Sequence, residues 1–335
     1  MRFYHPLLFA LDAERAHRLT IRMLSAWGAA GTPMASGAGR DMPVTIAGLR
    51  FPNPVGLAAG VDKDAEAVAG FFALGFGSVE VGTLTPRPQP GNPQPRLFRL
   101  VEDRAVINRM GFNNGGLDAA LERIARMPAR RGVLGINVGA NKESVAGDSA
   151  IADYGAGITK AAPLADYLTI NISSPNTPGL RNLQAQPALG ELIAACDAAR
   201  HIGGKRVPLF LKVAPDLDRA GLEVAARAAI DGGIDALVVS NTTISRPADL
   251  RSNNAGETGG LSGAPLAELA RAKLAEARAI TGGQLPLVSV GGIGSADEAQ
   301  RRLDAGASLV QLYSALVFDG PGLARRIVNG LRPRT

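Results

Sequence analysis

Eight short apolar runs, separated by spacers of helix length, are the strongest constraint on what this chain can fold into. They read PVGLAA at 54–59, SVEV at 78–81, VLGINV at 133–138, YLTINI at 167–172, PLFLKV at 208–213, ALVVS at 236–240, LPLVSV at 285–290 and SLVQLY at 308–313. Their hydrophobicity is continuous rather than alternating, as in parallel strands covered on both faces. Eight such units in about 280 residues predict an α/β fold of the (β/α)8 TIM-barrel type. A doubly wound sheet has fewer strands and a glycine-rich phosphate turn after its first.

Barrel enzymes carry their chemistry at the C-terminal ends of the strands, and the polar residues obey that rule. Ala59-Gly60-Val61-Asp62-Lys63 follows the first run, Gly82-Thr83 the second, Asn137 lies in the third, and Asn171 with a serine-rich loop ends the fourth. Lys212 closes the fifth, Ser240-Asn241-Thr242 the sixth, Gly291-Gly292 the seventh and Tyr313-Ser314 the eighth. Each alone also reads as an ordinary turn former or solvated charge. Eight at one geometric level predict a shared site. The stretch INISSPNTPGLRNL at 170–183 stands out: Pro175, Pro178 and Gly179 mark a loop, yet Asn171, Ser174, Asn176 and Thr177 give it more hydrogen-bonding side chains than a turn needs.

Two long insertions interrupt the repeat, at 84–113 with five prolines and at 241–265 with several glycines. Both leave the strand ends that carry the site, where long loops act as lids or binding walls. The Gly291-Gly292-Ile293-Gly294 and Leu312-Tyr313-Ser314 segments flank the last two strands, where barrels grip phosphate with backbone amides and a helix N-terminus. Gly259-Gly260-Leu261-Ser262-Gly263 adds a further flexible backbone stretch. A Walker-type lysine motif is absent and the only histidines are His5, His17 and His201, so the hard chemistry falls to an organic cofactor with a phosphate tail rather than to a metal.

Composition narrows the rest. With 46% hydrophobic and 20% charged residues, 41 Gly and 22 Pro among 335 residues, the chain is a folded protein with many tight connections. The single Cys196 excludes a disulfide framework and a cysteine-held metal cluster, and the run around it predicts a buried helix position. The net charge of +6 permits anionic partners, but only 4% aromatic residues leave no stacking surface for nucleic acid. No apolar stretch reaches the ~18 residues that would span a bilayer. The N-terminus lacks the features of a signal peptide, which predicts the cytoplasmic side.

The motifs AAGVDK at 58–63, NRMGF at 108–112, NISSPNT at 171–177, SNTT at 240–243 and VGGI at 290–293 resemble those of the dihydroorotate dehydrogenases, specifically the quinone-using, membrane-associated class 2 enzymes, over essentially the whole length. The resemblance implies FMN as cofactor, (S)-dihydroorotate as substrate and a respiratory quinone as acceptor, in the fourth step of pyrimidine biosynthesis. It implies FMN contacts from Ala59, Gly60, Lys63, Thr83, Asn137, Asn171, Lys212, Ser240, Gly263, Gly292, Tyr313 and Ser314. It implies a substrate site of Lys63, Asn108, Arg109, Met110, Gly111, Phe112, Asn171, Asn176, Asn241 and Thr242, whose amides suit a cyclic ureide. Oxidation removes a hydride from C6 and a proton from C5, and the serine that takes the proton in class 2 matches Ser174. Lys63 and the amides would stabilise the developing enolate, and Thr177 with a water would relay the proton behind Phe112 as a gate.

Residues 1–40 have no place in a bare barrel, which occupies 41–335. Asp12 can cap a helix in which Leu19, Met23 and Trp27 recur, with Ala16 and Leu24 on the same side. One reading is a helix packed on the barrel. The other, implied by the resemblance, is a short helical pair that dips into the membrane and admits quinone past His17, Arg99 and Tyr313, making this a peripheral protein of the cytoplasmic membrane face. A tRNA dihydrouridine synthase, which needs a cysteine acid and an added RNA-binding domain, and a non-enzymatic binding barrel are the alternatives.

Overall fold

The computed structural model describes residues 5–35 and 39–333, with the backbone alone for 5–7. Residues 1–4, 36–38, 334 and 335, which belong to the two segments expected from sequence, lie outside them, as does the side chain of His5. All eight apolar runs are strands: β1 (Val55–Leu57), β2 (Ser78–Leu84), β3 (Val133–Val138), β4 (Tyr167–Asn171), β5 (Leu209–Val213), β6 (Ala236–Val239), β7 (Leu287–Val290) and β8 (Ala307–Leu312). They form a closed parallel barrel in sequence order. Closure falls between β8 and β1, with Val310, Gln311 and Leu312 opposite Val55, Gly56 and Leu57. Every residue of β2 to β7 is buried, as double coverage requires.

A short antiparallel hairpin, Val44–Ile46 with Leu49–Phe51, stands at the opposite end from the predicted site. Its Ile46 and Phe51 pack into the barrel interior with Tyr167, Phe210, Val238 and Leu309, forming a floor. Three-residue strands leave too little periodicity to be read in advance. Cys196 is buried in the helix Ala188–Ala199, as expected, and burial pushes its thiol up to about 12.

The two insertions do not act as separate loops. The first forms a hairpin, Leu97–Leu100 with Ala105–Asn108, and the second adds the strand Gly260–Gly263 antiparallel to Ala105–Asn108. The result is one three-stranded sheet over the mouth of the barrel.

The N-terminal segment folds as two helices, α1 (His5–Ala10) and α2 (Ala13–Ala29). Asp12 caps α2 as predicted, its carboxylate accepting from the amides of Glu14 and Arg15 at 3.0 Å. The single apolar stripe expected on α2 is in fact two. Ile21 is buried and Leu24 packs on the core, whereas Leu19 and Met23 are exposed by 42% and 63%. A turn of 100° per residue separates these pairs widely around the helix, so one side docks and the other stays open. The docked side meets the helix Val68–Ala73 at Gly70, where an added Cβ would lie 2.6 Å from the Leu24 carbonyl oxygen. Arg96 clamps α2 from the first insertion, with two nitrogens on Glu14 at 2.6 and 3.0 Å and a third on the carbonyls of Pro90 and Asn92. Arg18 pairs with Glu66 at 2.7 Å.

Gly70→Ala therefore forces α2 away from the barrel. Overpacking of this kind costs about 1–3 kcal/mol. Limited proteolysis should cut α2 faster in the variant while the barrel keeps its far-UV circular dichroism; unchanged protection would mean that Gly70 does not set the contact.

Candidate active site

The C-terminal ends of the strands open onto one cleft. Ala59 and Gly60 after β1, Thr83 from β2, Asn171 from β4 and Lys212 from β5 line it. Ser240 after β6, Gly292 after β7, and Tyr313 and Ser314 after β8 complete its wall, with Gly263 from the roof sheet. The predicted convergence is what the barrel builds. Asn137 is the exception among the expected cofactor contacts: it is fully buried beneath the cleft, donating to Glu80 at 2.7 Å and accepting from Thr83 at 2.6 Å.

Two donors share the Gly60 carbonyl, the Lys63 ammonium at 2.7 Å and the Tyr313 hydroxyl at 3.0 Å, which ties the loop after β1 to β8. Burial pushes Lys63 down to about 8, so its charge is costly and an anion in the cleft would relieve that cost. The same burial lowers Lys212. Among the described residues no hydrogen bond reaches the Lys212 ammonium.

The loop after β4 is held from both sides. Ser174 is buried and its Oγ accepts from the Asn176 amide at 3.2 Å, which leaves the hydroxyl proton and a lone pair for the cleft. Asn176 donates to Asn108 at 3.1 Å, linking this loop to the first insertion, and Asn241 donates to Ser173 at 2.8 Å, linking it to the second. Met110, Gly111, Phe112, Asn108, Asn176, Asn241 and Thr242 all line the cleft. Arg109 does not: its guanidinium is turned to Glu257 at 2.7 Å and stacks over Phe98. Thr177 is buried with no partner for its Oγ1.

Three residues that hold the site were not foreseen. Arg181 donates to the Ser173 carbonyl at 3.0 Å and to Asp216 at 2.9 Å, and Asp216 accepts from Thr243, so one pair clasps the serine loop and the second insertion. Arg302, fully buried, donates to the carbonyls of Gly291 and Ala267, both at 2.9 Å, and thereby fixes the diglycine turn. Arg181 falls within the stretch at 170–183, but neither it nor Asp216 and Arg302 carries a sequence signal that distinguishes it from surface charge.

The cleft fits a flavin phosphate. At one end the Gly291–Gly292 turn meets Ser314, whose hydroxyl donates to Ser262 at 2.8 Å, and at the other Lys212 and Gln311 offer unmet polar atoms, the Gln311 Oε1 having no partner. His17, Arg99 and Tyr313 do not meet in one place: only Tyr313 lines the cleft. Arg99 binds the carbonyls of Leu8 and Leu11 and stacks over Phe9, which in turn meets Phe318 on the cleft wall edge to face at 6.0 Å. His17 is half-buried beside Lys63 and the Val61 backbone.

The site thus belongs to the (β/α)8 class of barrels, with Lys63, Lys212, the amides of Asn108, Asn171, Asn176 and Asn241 and the Gly291–Gly292 turn gathered around one cleft. Residues 42–334 match the dihydroorotate dehydrogenase family, and the chain belongs to it. Curated relatives named dihydroorotate dehydrogenase (quinone) include that of Erythrobacter litoralis, 57% identical over 97% of this chain and 92% of the relative. That of Rhodospirillum rubrum is 56% identical over 99% and 90%. Among solved structures, the Eimeria tenella enzyme in complex with ferulenol superposes with a TM-score of 0.86 at 40% identity, covering 93% of this chain and 90% of that one. Its ligand-free form gives 0.86 at 42%, covering 93% of each.

The position of His17 makes docking of α2 sensitive to acid. Burial, with the charges of Lys63 and Arg18, lowers its pKa from 6.5 to about 4, so the docked ring stays neutral while an undocked one takes a proton at its ordinary value. The docked state is thus fully favoured above pH 6.5 and loses stability as pH falls toward 4. Glu14 responds only at lower pH, because Arg96 outweighs the effect of burial and holds its carboxyl below the ordinary value. The protection of the α2 amides, taken relative to their intrinsic exchange rate at each pH, should fall between about pH 6.5 and 4.5, and His17→Gln should flatten that response; an equal response in the variant would assign it to other groups.

Proposed function

We propose that this chain oxidises (S)-dihydroorotate to orotate and delivers the electrons to a quinone, with FMN as the resident cofactor. The observation that carries the reading is the near full-length similarity to enzymes named dihydroorotate dehydrogenase (quinone), joined to a cleft lined by predicted residues from every strand end but the third. Bound FMN supplies the two-electron acceptor. Lys212 would lie at its electron-rich edge, the Gly291–Gly292 turn, Gly263 and Ser314 would hold its phosphate, and Ala59, Gly60, Thr83, Asn171 and Ser240 would seat its ring.

The protein's own part is to orient the substrate and to move one proton. Lys63 and the amides of Asn108, Asn171, Asn176 and Asn241, with Thr242, bind the carboxylate and the ureide. Ser174 Oγ takes the C5 proton. A serine hydroxyl is a weak base, so the step depends on Lys63 and the amides to hold the charge that develops on the substrate. Thr177, whose buried hydroxyl lacks a partner, relays the proton outward, and Phe112 gates that path.

Residues 1–40 form the quinone-access and membrane-contact segment, and 41–335 the catalytic barrel. No helix among the described residues is long and apolar enough to cross a membrane. The exposed Leu19 and Met23 on the open side of α2, with Leu11 at 40% and Met34 at 97% in the same segment, support peripheral membrane contact, which we assign to the cytoplasmic face. His17, Arg99 and Tyr313 would guide the quinone.

Comparing a quinone, fumarate and NAD as oxidants of the yellow, FMN-loaded protein tests the reading. Turnover with quinone is expected, and a colourless protein that cannot be reconstituted with FMN would favour a binding barrel. Ser174→Ala should keep FMN and bind orotate yet reduce its flavin about 10²–10⁴-fold more slowly; a rate within threefold of wild type would remove Ser174 as the base. Removing residues 1–38 should leave flavin reduction by dihydroorotate intact but slow reoxidation by a long-chain quinone and abolish liposome flotation. Should both persist, with the truncated protein folded, the segment is a packing element.

A further inference from the structure

Glu80 is a carboxylate in the middle of β2 with no exposed surface. It accepts from Asn137 Nδ2 at 2.7 Å, from the Tyr167 hydroxyl at 3.0 Å and from Gln311 Nε2 at 2.7 Å. Burying an ionised group costs several kcal/mol even when well bonded, and a neutral side chain would fill this volume at lower cost. Stability alone therefore does not account for it.

The carboxylate accepts and cannot donate. Asn137 must turn its Nδ2 down toward Glu80 and its Oδ1 up, where it accepts from Thr83 Oγ1 at 2.6 Å and Asn171 Nδ2 at 3.2 Å. Having donated its proton, Thr83 Oγ1 accepts from Asn171 Nδ2 at 2.8 Å. Asn171 Oδ1 is thus directed to Ser173, whose hydroxyl donates to it at 2.9 Å and accepts from Asn241 Nδ2 at 2.8 Å. One buried charge imposes a single donor–acceptor direction on a chain that ends beside Ser174.

We infer that Glu80 is a positioning residue of the site: its carboxylate sets the direction of the hydrogen-bond chain through Asn137, Thr83, Asn171 and Ser173 to Asn241. This inference rests on the reading that FMN occupies the cleft, where a negative charge beneath it disfavours the electron-rich reduced flavin. Removing that charge makes reduction easier.

The test is the midpoint potential of bound FMN in the Glu80→Gln holoenzyme, measured by dye equilibration. The oxidised–reduced equilibrium should move about tenfold toward reduced flavin, which is about 30 mV for a two-electron couple. A residue with only a packing role would lower the melting temperature and leave the potential alone, so an equilibrium within threefold of wild type, or shifted the other way, overturns the inference. If Glu80→Gln yields no holoenzyme, Tyr167→Phe decides. It keeps the ring stacked on Phe210 at 4.5 Å but strips one donor from Glu80, leaving its charge less screened. The equilibrium should then move at least threefold toward oxidised flavin, and no shift or the opposite shift overturns the inference. A wild-type protein that cannot hold FMN overturns the functional reading and this inference together, whereas a normal wild type with unresponsive variants overturns this inference alone.

Discussion

The hydrogen bonds that join the last strand to the first hold the whole arrangement in place. Val310 donates to the Pro54 carbonyl at 2.9 Å and Ala58 to that of Leu312 at 3.0 Å, so β8 lies flush against β1. Closure of this kind leaves no sheet edge and fixes the stagger of all eight strands. Because the strands are parallel, it also brings every C-terminal end to the same side. Tyr313 reaches the Gly60 carbonyl, which the neighbouring Lys63 also binds, only because the ring is shut.

That closure explains which parts of the molecule were legible in advance. Strands buried on both faces must be apolar throughout, so runs such as VLGINV and YLTINI announce themselves, and the residue just past each run is at the mouth by construction. The serine loop could be singled out because its polar residues exceed what a turn uses. What could not be read depends on pairing between distant segments. Nothing in 97–108 declares that Gly260–Gly263 will complete its sheet, and Arg181 and Arg302 act on backbone carbonyls that any sequence supplies.

Glu80 marks a different limit. It sits inside SVEV, where a lone carboxylate looks like an interruption of an apolar run, and its partners come from β3, β4 and β8. Its meaning exists only once those strands surround it. On α2 the difficulty was angular. Apolar residues spaced three and four apart merge into one stripe on paper, while the folded helix gives Ile21 and Leu24 to the barrel and leaves Leu19 and Met23 outside.

The sheet over the mouth also bears on how the molecule is made. Its central strand, Ala105–Asn108, leaves the ribosome about 150 residues before the strand Gly260–Gly263 that covers its second edge, and synthesis proceeds at ~5–20 residues per second. For many seconds the nascent chain carries a half-built hairpin with an unpaired edge, and the barrel beneath it stays open until β8 emerges. The cleft is thus finished only by the last third of the chain, which supplies the third roof strand, the closing strand and the Gly291–Gly292 turn.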